Sequence, residues 1–176
     1  MNFLLEQIIY FIINFILNPI KFLKKLKDIK YLPFGREVYK IEIIEDKIFK
    51  YYRNKQSYYK NLNYYELLKN YDFIPKNIFK DDNKYLIVQE FKGNLLRISD
   101  LNEINKNKLK ELLDKLSDAK IIIKDILPLF FNKNIINNLT IKDNQIYLVD
   151  YGDMILSSKV EANIFYTKLK KYYNLN

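Results

Sequence analysis

Two short segments place carboxylates where chemistry could use them. In IYLVDYGD, residues 146–153, an apolar strand ends in Asp150, and Tyr151 and Gly152 follow. An acidic residue at the end of a buried strand, beside a glycine that lets the chain turn sharply, suits a hard cation that prefers oxygen. In LSDAKIIIKDILP, residues 116–128, a helix end runs into an apolar triplet closed by Lys124 and Asp125. A carboxylate there would face the cleft between the two halves of the chain.

The composition narrows what such a site can do. The chain has 176 residues, no cysteine and no histidine. Without cysteine there is no disulfide framework, thiolate nucleophile or cysteine-based zinc site. Without histidine there is no Ser-His-Asp triad and no imidazole metal ligand. A site here must work with carboxylates, Lys, Arg, Tyr, hydroxyls, amides or a metal held by oxygen. The redox compartment stays open. The length suits one domain, at about 100–200 residues per domain, and 49% apolar residues argue against wholesale disorder. The net charge of +9 points to nucleic acid, an acidic membrane surface or a phosphorylated ligand. The 27 Lys, 26 Ile and 21 Asn also read as an AT-rich coding bias, which weakens arguments from lysine or asparagine number alone.

The elements that must position these residues fall into a β-rich half with one inserted helix, then a mostly helical half. Alternating β-branched and aromatic runs predict strands near 30–34, 37–44 and 47–52, with a turn at Glu45-Asp46. A helix is expected over 55–71, then strands at 76–79 and 84–91 around the Asp81-Asn83 turn. Residues 101–119 form a strongly amphipathic pattern, with Leu109, Leu112, Leu113 and Leu116 on one face. A strand-like run at 120–126 leads into an expected loop at 127–138. A hairpin follows, with strands at 139–142 and 145–149 across Asp143-Asn144, and a final helix covers 158–173.

The first thirty residues stand apart. Residues 2–20 carry a single charge, Glu6, and Lys21–Lys30 then holds five lysines and one aspartate. Three readings stay open: a transmembrane helix, an interfacial anchor with lysines on anionic lipid, and a helix packed on the domain. A signal peptide fits poorly, because the basic stretch follows the apolar one. The organisation is therefore a segment 1–30 and a domain 31–176. The expected localisation is cytoplasmic, with peripheral contact at the inner face of a membrane. The tyrosine pairs (51–52, 58–59, 64–65, 172–173) supply packing more readily than a nucleic-acid surface.

With these residues in order, the sequence resembles the protein-kinase-like superfamily. Leu116, Ile121, Ile122, Asp125, Ile126 and Pro128 fill places of its catalytic loop, and Asp150-Tyr151-Gly152 is similar to the D-F-G motif. Phe34-Gly35-Arg36-Glu37-Val38 resembles the end of the Gly-rich loop entering the second strand. Lys50 resembles the third-strand lysine, Glu66 the carboxylate of the αC helix, and Gln89-Glu90-Phe91 the hinge. The resemblance spans roughly residues 30–153. Residues 138–150 are also similar to the corresponding stretch of bacterial lipopolysaccharide core heptose kinases, and small viral kinase-like proteins are similarly reduced.

The resemblance implies an α+β fold of two lobes. A small antiparallel sheet with its αC helix would stack on a truncated helical lobe, preceded by the N-terminal apolar helix. It implies an ATP- and Mg²⁺-dependent phosphotransferase acting on a hydroxyl, either a sugar of a lipid-linked glycan or a protein Ser/Thr. Asp125 would orient the acceptor hydroxyl and Lys50 would hold phosphates, itself held by Glu66. Gly35, Val38 and Glu90 would border the nucleotide. Asp150 would hold the metal with Asn138, or with Asn137 in its place. Such chemistry needs neither histidine nor cysteine. The departures are specific. Only Gly35 remains of the Gly-rich loop, Ser117 and Ile123 stand where histidines would be, Lys124 replaces an arginine, and Phe130 occupies the usual asparagine position. They motivate a second reading, an inactive pseudokinase used as a binding or scaffold module. A basic membrane-surface or nucleic-acid-binding protein without catalysis is a third and weaker one.

Overall fold

The computed structural model describes residues 37–124, 126, 128–129, 132–152 and 154–175. The expected segment 1–30, the strand at 30–34, Gly35, Asp125 and Phe130 lie outside the described residues. Among the described residues no helix is long and apolar enough to cross a membrane.

The first half is a four-stranded antiparallel sheet. Strands β1 (Val38–Ile44) and β2 (Lys47–Tyr52) form a hairpin. Helix α1 (Lys55–Leu68) follows, then β3 (Asn77–Asp81) and β4 (Leu86–Glu90), giving the sheet order β1-β2-β4-β3. The hairpin turn falls at Glu45-Asp46 as expected, with Glu45 at φ 55°. Helix α1 starts at Asn54, whose side chain accepts the Ser57 N–H; this is ordinary N-cap chemistry. Val38, Tyr52, Tyr58 and Ile87 pack between helix and sheet. The Tyr58 hydroxyl donates to Asp82 at 2.6 Å, so the helix is also tied to the β3–β4 turn.

The second half is built on helices α2 (Glu103–Asp118) and α3 (Lys159–Tyr172). Leu109, Leu112, Leu113 and Leu116 of α2 are all buried, as their spacing requires. Helix α3 begins in a reciprocal capping box between Ser158 and Glu161. Around these helices lie β5 (Asn94–Arg97), β6 (Ile121–Ile123), β7 (Pro128–Leu129), β8 (Asn132–Lys142), β9 (Gln145–Leu148) and β10 (Met154–Leu156).

Three details differ from the sequence expectation. The stretch expected as a loop at 127–138 is largely strand, because β8 runs from Asn132 and pairs with β5, β7 and β9. Residues 94–97 form β5, seated against β8 at Ile141 and Thr140. Met154–Leu156 form a short strand against β6, which pairs Met154 with Ile123.

The last of these pairings matters for the site. It brings the chain just after Asp150-Tyr151-Gly152 against the chain just before Lys124. The halves are joined further by the Leu148 N–H, which donates to the Phe73 carbonyl at 2.9 Å.

Candidate functional site

Strand β2 alternates half-buried and buried residues, and Lys50 falls in phase with Ile48 and Tyr52 on the buried face. A lysine at a core position is costly unless its ammonium is partnered. Here Lys50 is 3% exposed and donates to the carbonyl of Val149, the residue immediately before Asp150. Burial pulls its pKa down to about 8, and the Asp150 carboxylate partly restores it. One interaction thus joins the sheet of the first half to the end of the Asp150 strand.

Asp150 is half-buried, and its Oδ1 accepts the Gly152 N–H at 3.0 Å. This Asx-type turn closes the strand and orients one carboxylate oxygen. The intervening Tyr151 is fully buried, and its hydroxyl accepts from Gln89 Nε2 at 3.1 Å. The same amide donates to Asn77 Oδ1 at 2.7 Å. Burial pushes the Tyr151 phenol above its ordinary range, so it stays neutral. A tyrosine in place of phenylalanine therefore gains a polar tether to β4.

Asn138 accepts the Val149 N–H with its backbone carbonyl at 2.9 Å, so it stands across the β8–β9 ladder beside Asp150. Its φ is 61°, a left-handed conformation that Asn tolerates better than most residues. Its side chain is half-buried, whereas neighbouring Asn137 is buried. Of the two, Asn138 is the more exposed residue at the Asp150 end of the strand.

Other expected residues take different places. Glu66 sits on the exposed face of α1 and pairs with Lys69. Among the described residues Asp150, not Glu66, is the carboxylate whose charge acts on Lys50. Val38 is buried in the sheet cluster. Glu90 accepts the Lys76 N–H at 3.1 Å and pairs with Lys92 at 3.1 Å. Burial raises its pKa, but these two contacts outweigh that and hold it below the ordinary value.

Asp125 and Gly35 lie outside the described residues, but the chain flanking Asp125 is fixed. The Ile123 N–H donates to the Tyr166 hydroxyl at 3.1 Å, and the Tyr173 hydroxyl donates to the Ile126 carbonyl at 3.3 Å. Both tyrosines come from the end of the chain, on or just after α3. Their role was not visible in the sequence, because nothing local relates positions 40 or more residues apart.

One unexpected carboxylate joins the site. Glu37, just before β1, pairs with Lys60 of α1 at 2.8 Å. Its other oxygen crowds Gly152: a methyl group there would stand 2.8 Å from Glu37 Oε2 and 3.4 Å from Asp150 Oδ1. A side chain at 152 would have to displace the end of the Glu37 side chain.

Solved structures are similar to this chain in fold. The ternary complex of APH(2")-IIa with streptomycin and ATP matches over 87% of this chain and 80% of its own, with a TM-score of 0.50 at 14% identity. The fold is similar to that of APH(2")-IIa. The gentamicin complex of APH(2")-IIa also matches, over 89% of this chain and 81% of its own, with a TM-score of 0.49 at 13% identity. The Legionella pneumophila Lpg2603 kinase bound to IP6 covers 82% of this chain and 57% of its own, with a TM-score of 0.46 at 15% identity. At these identities the likeness concerns the fold. No family model and no curated protein matches the sequence.

Proposed function

We propose that the protein is an ATP-dependent phosphotransferase acting on a hydroxyl-bearing acceptor. The observation that carries this reading is the buried Lys50 ammonium at the carbonyl preceding Asp150. A cation kept inside a kinase-like fold, at the foot of a carboxylate turn, has a use in holding phosphate. A purely structural role would be better served by an apolar side chain.

Phosphoryl transfer needs positioning and charge stabilisation more than covalent work by the protein. Lys50 would hold the nucleotide phosphates. Asp150, with one oxygen oriented by Gly152, and the Asn138 amide would hold a magnesium ion. Such an ion typically takes one or two carboxylates plus substrate phosphates, so this short donor set fits it. The ion would neutralise charge on the transferring phosphoryl group. Asp125 would accept or orient the acceptor proton, on a segment that Tyr166 and Tyr173 hold from either side.

The similar APH(2")-IIa structure holds ATP together with streptomycin. It supports a nucleotide donor and a hydroxyl-rich small molecule as the first acceptor to try, ahead of a lipid-linked sugar or a protein Ser/Thr.

The test is ATP turnover with Mg²⁺, together with the thermal response to nucleotide. At ligand a hundredfold above Kd, binding contributes about 2.7 kcal/mol, or about 5–10 °C for a chain of this size. Asp125→Ala and Asp150→Ala should abolish turnover, and Lys50→Met should abolish the thermal response. Turnover unchanged in both aspartate variants would overturn these roles.

The pairing of Glu66 with Lys69 favours a second reading, a pseudokinase module that binds without catalysis. It would show a nucleotide-induced shift without turnover on any acceptor, or neither response with the fold intact.

A further inference from the structure

The resemblance implied that helix α1 would reach the site through a glutamate, gripping the lysine of β2. In the structure the charges on that link are exchanged. The helix supplies the lysine, Lys60, and the carboxylate comes from Glu37 on the sheet side, at 2.8 Å. Both side chains are only partly exposed, at 35% and 22%.

Glu37 is anchored at its own backbone, because its carbonyl accepts the Arg53 N–H at 2.9 Å. Its carboxylate then divides its contacts. Oε1 meets Lys60, and Oε2 lies against Gly152 in the Asp150 turn. Since a methyl group on Gly152 would touch both Glu37 Oε2 and Asp150 Oδ1, those oxygens lie within about 6 Å of each other. Two like charges at that spacing need cations beside them. The site supplies one for each, Lys60 for Glu37 and Lys50 for Asp150.

We propose that Glu37 is a positioning residue of the candidate site, through which Lys60 of helix α1 holds the Asp150-Tyr151-Gly152 turn in place. Movement of α1 is then felt at Asp150 through Lys60 and Glu37. Glu66 takes no part. The mechanical link stands on the contacts alone; its consequence for nucleotide binding rests on the phosphotransferase reading.

The three glycines of the chain give a direct readout. They follow Phe34, Lys92 and Tyr151, so Gly152 is the only glycine preceded by tyrosine. Labelling with carbonyl-¹³C tyrosine and ¹⁵N glycine isolates its amide signal in the full-length protein. Glu37→Gln should shift that signal. Lys60→Met should shift it as well, because Lys60 meets the turn through Glu37, and Lys60→Arg should restore it. Adding Lys60→Met to Glu37→Gln should produce little further change, and Gly93 should stay in place throughout. A Gly152 signal indifferent to Lys60→Met, or Gly93 and Gly152 moving together in every variant, would overturn the proposal.

A second arm measures ATP affinity with Mg²⁺ by titration calorimetry. Lys60→Met should weaken binding several-fold and Lys60→Arg should not; equal affinity in all three proteins would overturn the functional part. A wild-type protein that binds no nucleotide would sink the phosphotransferase reading and this functional part with it. The glycine signals would still decide whether Lys60 acts on the turn.

Discussion

Lys50 is where the energetics of single residues are most exposed. It is buried on a strand face it shares with Ile48 and Tyr52, and burial lowers its pKa to about 8. The unfolded chain would hold that proton up to about pH 10.4. Between these values the unfolded state binds more protons than the native one, so stability rises with pH across the window. Chemical denaturation at pH 7.5, 8.5 and 9.5 should show this rise, and Lys50→Met should flatten it. A wild-type stability that falls over that range would contradict the burial of the ammonium. In the free protein the same titration should weaken phosphate binding above pH 8, as the ammonium is lost. The sequence carried one clue to Lys50, its period-two phase with Ile48 and Tyr52, but Lys47 shares the other phase with Phe49 and Tyr51, and only burial tells the two apart. Glu66 carried no such clue. It lies on the exposed face of α1 and pairs with Lys69 there.

At the scale of elements, the site depends on contacts that fix strand ends. Tyr166 satisfies the backbone N–H of Ile123, both groups being buried. Tyr166→Phe should leave that N–H unpartnered and cost about 1–3 kcal/mol by denaturant titration. Tyr172→Phe, at a 59% exposed ring, should cost almost nothing. Equal costs would mean that α3 does not pin β6. Gly93 joins β4 to β5 at φ 80°, and an added methyl would stand 2.0 Å from the Ile141 carbonyl oxygen. Gly93→Ala should therefore destabilise by at least about 2 kcal/mol, read as a lower denaturant midpoint. Local sequence announced α2, α3 and the β1–β2 hairpin, because amphipathic spacing, capping and turn residues act over a few positions. It misassigned 127–138 because the strand there is stabilised partly by β5, more than 30 residues back, as well as by its neighbours β7 and β9. Asn137-Asn138 by itself reads as a loop, and only pairing with β9 keeps Asn138 in a ladder.

Across the whole molecule, the two halves are unequally packed. Among the described residues, 21 buried side chains form one cluster centred on α2, whereas four form the cluster between α1 and the sheet. Local opening should follow that difference. Native-state hydrogen exchange should show β1 amides opening at lower free energy than those of α2. Uniform protection across both halves would argue against it. The candidate site lies where the loosely packed half meets the tightly packed one, joined by Lys50 to Val149, Gln89 to Tyr151 and Leu148 to Phe73.

The sequence by itself determined the class of chemistry open to this protein. Without histidine or cysteine, the chain is left with carboxylates, amides and lysine, and Asp125, Asp150 and Lys50 stood out by motif and order. Local patterning also determined most helices and hairpins. Only the tertiary structure decided which side chains share a site. Asn138 stands beside Asp150 through a strand pairing, and Tyr166 and Tyr173 reach back to the backbone of Ile123 and Ile126. Glu37, rather than Glu66, meets the Asp150 turn. The physical reason is that burial and partner choice are set by long-range closure of the chain, while motif and periodicity record only what lies within a few residues.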